Sequence, residues 1–343
     1  MSVMCNICKI CGERQATKTN SHIVPSFLIA SFTSYNGSGK RDTEVMFTIT
    51  NSEDSVYTGR SVSDTTIDQL FDKDNLTEER ILEELSNNTV AKDYIFCPQC
   101  EKKLADLLES PYAQYSKDRK TIENDIPLFF WLSVVWRMSI TKDYGFDLGD
   151  DLNEILRLYL KSYFDVKERN LNVSETVEKV PFRYKLLRCK DFCKNNSGFL
   201  YAKFENGVLD LLVGEYLLRA SFNLYGEFSN SPLMGAESQY AKASINHGTS
   251  TEQFVSLEED AFKAINDDFI QKVASLKAKE IELQLDWIWG KIGQSGTMPI
   301  ELKEQFFKNY SDDNVKIGDR HGKERSAKVL FSILSDYFRM KKQ

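Results

Sequence analysis

The chain has 343 residues, of which 41% are hydrophobic and 28% charged, with 22 Phe and 15 Tyr. That composition fills two or three globular cores and excludes wholesale disorder. The formal net charge of -7 argues against a generally basic nucleic-acid binder, but the charge is unevenly spread. Residues 1–41 carry Lys9, Arg14, Lys18, Lys40 and Arg41 against Glu13 alone, and residues 314–343 carry eight Lys or Arg against three acids. Between them, residues 53–86 hold ten carboxylates against Arg60, Lys73 and Arg80. Local basic surface on an acidic protein still attracts phosphate, while the acidic stretch repels it. The most apolar run, Pro127 to Trp136, is too short to span a bilayer and ends at Arg137. Met1–Cys5 shows neither the basic nor the apolar region of a signal peptide. The expectation is a cytoplasmic protein without a membrane partner, in which seven Cys serve as metal ligands or free thiols.

In chain order, Cys8-Lys9-Ile10-Cys11-Gly12 comes first, then Ser21-His22-Ile23-Val24-Pro25 and a short helix over residues 25–32. Residues 34–41 form a polar loop that lacks the first glycine and the Ser/Thr of a phosphate-cradling loop. Strands are expected over 45–50 and 56–60, and helices over 65–71 and 77–85. Cys97-Pro98-Gln99-Cys100-Glu101 then opens a helix with Leu104, Leu107 and Leu108 on one face.

Asp125 is placed to cap the next helix, which is apolar nearly all round and so central to a core. Arg137 within it reads first as a buried ion pair and second as a phosphate contact. A helix over 152–164 buries Ile155, Leu156, Tyr159, Leu160 and Phe164. Residues 198–204 and 208–213, joined by Glu205-Asn206-Gly207, read as a hairpin within a small antiparallel sheet. Residues 226–252 are rich in Gly, Ser and Asn and read as a connection. A long helix follows over 257–289, with Phe262, Ile265, Phe269, Val273 and Leu276 at helical spacing, then helices over 301–310 and 325–340. The fold class is α+β, mostly helical.

Two Cys-x-x-Cys pairs supply four thiolates, the donor set of a closed structural zinc site. Cys8, Cys11, Cys97 and Cys100 are the expected ligands, although 85 residues separate Cys11 from Cys97. Cys5 is an alternative to Cys8, but the glycine that permits the knuckle bend follows Cys11. Cys189 and Cys193 have no second pair and read as free thiols. His247 and His321 each precede a Gly and read as turn residues.

The pattern Cys-x-x-Cys-Gly, His-Ile-x-Pro, then Cys-x-x-Cys entering a Lys-containing helix resembles the HNH endonucleases over the first third of the chain. The family usually has Asp-His or His-His where this chain has Ser21-His22, and His or Asn where it has Glu101. Its middle Asn has no clear match, with Asn75, Asn87 and Asn88 as the available residues. The resemblance implies a zinc-stabilised treble clef carrying a ββα-metal site. Residues 1–124 would form this module, with 33–94 inserted, followed by helices and a small sheet over 125–235 and a helical region over 236–343.

It also implies a metal-dependent endonuclease that hydrolyses DNA phosphodiester bonds, with His22 as general base and Glu101 as the helix-side ligand of Mg²⁺ or Mn²⁺. Histidine suits that role because its ordinary pKa lies near working pH. The setting implied is bacterial antiphage or mobile-element defence beside a partner such as an ATPase. The alternative is a module that has lost catalysis and serves nucleic-acid binding or complex assembly.

Overall fold

The computed structural model describes residues 6–30, 32–33, 45–49, 54–58, 62–71, 90–118, 121–223, 225, 228, 235–311, 316 and 323–340. The first part of the chain contains strand β1 (Ser21–His22), helix α1 (Ser26–Ile29), strands β2 (Val45–Ile49) and β3 (Asp54–Thr58), helix α2 (Asp64–Leu70) and strand β4 (Ala91–Lys92). Helices α3 (Pro98–Leu104) and α4 (Ser110–Asp118) follow, joined by a π turn at Ala105–Glu109, then α5 (Asp125–Thr141), α6 (Asp150–Glu168) and α7 (Ser174–Lys179). Strands β5 (Arg183–Arg188), β6 (Leu200–Glu205), β7 (Val208–Val213) and β8 (Tyr216–Ser221) form most of a sheet. The chain closes with α8 (Glu237–Lys242), β9 (Val255–Ser256), α9 (Glu259–Lys291), α10 (Ile300–Tyr310) and α11 (Lys323–Met340). The architecture is mixed α+β and mainly helical, with a small, chiefly antiparallel sheet. Among the described residues no helix is long and apolar enough to cross a membrane.

Contacts group the chain into two units, Met1–Phe32 with Asn88–Ile265, and Thr33–Asn87 with Asn266–Gln343. The first is organised on α5, buried at every position from Asp125 to Ser139. A helix apolar on all sides has to be enclosed on all sides. Tyr112 stacks on Phe130 and Tyr163 on Phe129, each pair at 4.0 Å between ring centroids. Trp136 donates its indole N–H to the Asn153 carbonyl at 3.0 Å, so its polar edge is satisfied inside the core.

Asp125 does not cap this helix. It is the first helical residue, and its carboxylate lies 2.8 Å from Lys167 Nζ. In α6 the buried stripe is Leu156, Leu160, Tyr163 and Phe164, while Ile155 is exposed. The stripe keeps Leu156, Leu160 and Phe164 and gains Tyr163, and beside it Arg157 Nη1 donates to the Ile10 carbonyl, 2.9 Å away.

The sheet has strand order β6-β7-β8-β5-β9, antiparallel except for the short parallel pairing of β9 with β5. The expected hairpin forms with Glu205 opposite Val208. Asn206 and Gly207 both take positive φ, 51° and 78°, as a two-residue turn of matching twist requires. β8 lies between β7 and β5 and is buried throughout. Its one cation, Arg219, is held by Asp210 across the strand pair at 2.9 Å. Residues 226–252 are not wholly a connection, because α8 lies within them.

In the second unit β2 and β3 form a hairpin from Val45↔Thr58 to Ile49↔Asp54. Ser63 caps α2 by accepting from the Thr66 N–H, and Lys316 Nζ donates to the Asp68 and Phe71 carbonyls at its far end. Cations suit the last turn of a helix. Leu285 and Trp289 of α9 pack with Met298, Leu302, Phe306, Leu330 and Ile333 in one core. The polar loop 34–41, the helix expected over 77–85, Cys5, Asn75, Asn87, Asn88 and His321 lie outside the described residues.

Candidate metal centre

The first knuckle is a backbone turn. Cys8 N–H donates to the Arg14 carbonyl at 2.8 Å and Gly12 N–H to the Cys8 carbonyl at 2.9 Å. Gly12 sits at φ +67°, where a side chain is strained. Residues 90–97 are stitched to this turn. Lys9 N–H reaches the Ile95 carbonyl at 3.0 Å, Lys18 N–H the Phe96 carbonyl at 3.1 Å and Tyr94 N–H the Lys18 carbonyl at 2.8 Å. β1 pairs antiparallel with β4, Ser21 opposite Lys92 and His22 opposite Ala91. These bonds bring the second Cys pair to the first despite the long gap between them.

The second pair uses a helix start. Cys97 is the N-cap of α3, its sulfur accepting from Cys100 N–H at 3.5 Å, and Pro98 occupies the first turn where its missing N–H costs nothing. The four sulfurs of Cys8, Cys11, Cys97 and Cys100 all lie within 4.8 Å of one another and all four residues are buried. Tetrahedral Zn–S bonds of about 2.3 Å imply sulfurs roughly 3.8 Å apart, so this donor set fits an ion such as zinc.

Without a cation four buried thiolates repel, and the protons redistribute. Cys100 shares its proton with Cys8, which pushes the Cys100 thiol up and pulls Cys8 down. Two arginines face the cluster. Arg14 Nη1 lies 3.8 Å from Cys97 Sγ, and Arg157 approaches Gly12 and the Ile10 carbonyl. A shallow cleft beside the cluster is lined by Arg14, Lys103 and Lys161 and also by Glu13 and Asp165. Lys161 pairs with Asp165 at 3.0 Å and Lys103 with Glu168 at 2.8 Å, so its charges are largely balanced.

His22 and Glu101 lie beside this centre. Ser21 is fully buried and its hydroxyl faces the Glu101 carboxyl. The two groups are close without a well-aligned hydrogen bond, and Ser21 Oγ and Glu101 Oε2 have no hydrogen-bond partner. Burial pushes Glu101 up, against the Ser21 contact and the Arg137 charge. His22, the next residue of β1, is half-buried. The His22 carbonyl accepts from Arg137 Nη1 at 3.0 Å, and the same nitrogen pairs with Glu109 at 2.7 Å. Arg137 is 2% exposed, and its described contacts are those of a buried ion pair.

A second buried polar cluster carries no sequence motif. Glu252 is 6% exposed. It accepts from Tyr184 at 2.6 Å and from Tyr112 at 3.2 Å, while Tyr112 accepts from the Trp131 indole at 3.0 Å. Burial pushes Glu252 up to about 7, opposed by the two tyrosine hydroxyls, Trp131 and Arg188. Cys189 and Cys193 are buried and in no disulfide, and His247 sits in a turn with Nδ1 2.9 Å from the Thr249 hydroxyl. Comparison with family models, curated proteins and solved structures finds no match to this chain.

Proposed function

We propose that residues 6–30 and 90–118 form a zinc-stabilised treble clef of the HNH type, and that it hydrolyses phosphodiester bonds in DNA. One observation carries the reading. The two segments that resemble that family are distant in sequence, yet their four sulfurs converge and the buried Ser21 hydroxyl lies beside the Glu101 carboxyl. The acid that the family usually carries on the strand is here carried by the helix.

In this reading the four cysteines hold the frame and take no part in the reaction. Ser21 Oγ and Glu101 Oε2 are hard oxygen donors with no hydrogen-bond partner, and such a pair suits Mg²⁺ or Mn²⁺ completed by water and phosphate oxygens. When bound, that ion supplies charge stabilisation at the phosphate and the leaving oxygen. His22 accepts the proton of the attacking water at its imidazole nitrogen. Arg137 grips the His22 carbonyl and so fixes the strand that presents the imidazole. A defence setting with an ATPase or similar partner belongs to the same proposal and rests on the resemblance alone.

The second reading, a non-catalytic zinc module for nucleic-acid binding or assembly, is favoured by Arg137. Its charge already acts on Glu101, where a catalytic cation would compete with it. Plasmid nicking by the full chain in Mg²⁺ and in Mn²⁺ separates the two. Catalysis predicts nicking that falls roughly 10²–10⁴-fold in His22→Ala with zinc content unchanged, and a Glu101→Ala defect partly rescued by excess metal. DNA binding at low salt without nicking by the wild type supports the second reading.

A further inference from the structure

Helix α9 is apolar on two opposite sides. Leu285 and Trp289 are buried in the core of the second unit, with Ile281 and Ile288 packed against it. At 100° per residue, Leu276, Leu283 and Trp287 share an arc of roughly 40° centred opposite Leu285. All three are open to solvent, at 70%, 62% and 64% exposure. They recur at intervals of seven and four residues, the spacing of a helix-pairing seam. Isolated exposed apolar residues are ordinary, but three aligned on one stripe mark a contact surface.

The charges along this helix say what covers the stripe. Residues 270–279 contain Lys272, Lys277 and Lys279 and no acid; residues 280–290 contain Glu280, Glu282 and Asp286 and no base. Beyond these blocks the signs reverse again, with Asp267 and Asp268 before and Lys291 after. The pattern is therefore antisymmetric about the junction of Lys279 and Glu280. A helix with such a pattern complements an antiparallel copy of itself, because reversal sets each basic block against an acidic one. Parallel pairing would set like against like. Two of the three apolar positions obey the same operation, since reversal about that junction places Leu276 opposite Leu283, while Trp287 falls opposite Lys272.

We propose that the exposed face of α9 is a two-fold interface with a second copy of this chain, paired antiparallel about the Lys279–Glu280 junction. Self-complementarity is what a two-fold contact demands of one surface. Lys277 meets the partner's Glu280 on one side of the stripe and Lys279 the partner's Glu282 on the other, and the Lys272 end, where Lys272 also pairs with Asp268, meets the partner's Asp286 end. Asp286 is already engaged by Lys303 and the Met298 N–H, so Glu280 and Glu282 carry most of the acidic side.

The test is sedimentation velocity on the full zinc-loaded chain across a range of concentrations. The expected result is a species of twice 39.5 kDa that dissociates on dilution and in high salt. Leu283→Asp should leave a monomer with unchanged helicity and zinc content. Reversing only the basic block, with Lys272→Glu, Lys277→Glu and Lys279→Glu, should weaken the dimer at least tenfold. Adding Glu280→Lys and Glu282→Lys to that variant should restore it, which also shows that the reversed chain folds. A chain that stays monomeric throughout, or a dimer indifferent to both the apolar and the charge changes, overturns the proposal.

Discussion

Two buried clusters in the first unit gather charge in opposite ways. Around Cys8, Cys11, Cys97 and Cys100 four ionisable sulfurs crowd together, a donor set that a cation such as zinc can balance. Around Glu252 a single carboxyl is enclosed by tyrosine and tryptophan donors, and a proton balances it. The first cluster is of the kind that a bound cation completes; the second is complete in itself and answers to pH.

The largest expected effect breaks the first cluster. Cys97→Ser should release the ion and unfold at least residues 6–30 and 90–117, because structural zinc contributes on the order of 10 kcal/mol. Metal content and thermal melting, with a chelator-treated wild type as reference, report it. Unchanged melting would mean that the stitching of residues 90–97 to the knuckle suffices without metal.

Next comes the pH response of the second cluster. Glu252 in the folded chain titrates at about 7 against an ordinary 4.5, so the folded state keeps a proton that the unfolded chain has released. Its contribution to stability therefore falls as pH rises from about 4.5 to about 7, by on the order of 3 kcal/mol in all. Denaturant titrations at pH 5 and pH 8 should show that loss in wild type and a smaller one in Glu252→Gln, whose amide does not ionise. Equal slopes in the two proteins would contradict the assignment.

Two smaller changes sharpen the contrast at the sulfur cluster's edge. Arg137→Ala leaves Glu109 and the His22 carbonyl without their donor, and should cost about 3 kcal/mol, the low end for breaking a buried ion pair. Gly12→Ala forces a side chain into φ +67° and should cost about 1–2 kcal/mol while the cysteines stay in place. Both are read as shifts in denaturation midpoint. A Gly12→Ala chain as stable as wild type would show that the knuckle relaxes at no cost.

The two clusters also differ in how far they can be read from sequence. A Cys-x-x-Cys pair announces itself because both ligands come from one local turn, and Gly12 marks the bend. The hairpin at Asn206-Gly207 is legible for the same reason. Glu252 sits in a polar connection, and its partners Tyr112 and Tyr184 come from a helix and a strand far along the chain. Nothing local distinguishes it from a solvated acid. Periodicity gave the extent of α9 to within two residues and set Phe262, Ile265, Phe269, Val273 and Leu276 at one helical spacing. The first three are buried and Leu276 is exposed, because the second half of the helix turns a different face to its core. Likewise the carboxylate of Asp125 had a distant partner, Lys167, that outweighed the local cap.

The most direct test of the metal centre is X-ray absorption at the zinc edge of protein purified without added metal, together with metal stoichiometry. The prediction is one zinc per chain surrounded by four sulfur atoms at about 2.3 Å. Absence of zinc, or a shell containing nitrogen or oxygen in place of one or more sulfurs, would contradict a site made by Cys8, Cys11, Cys97 and Cys100.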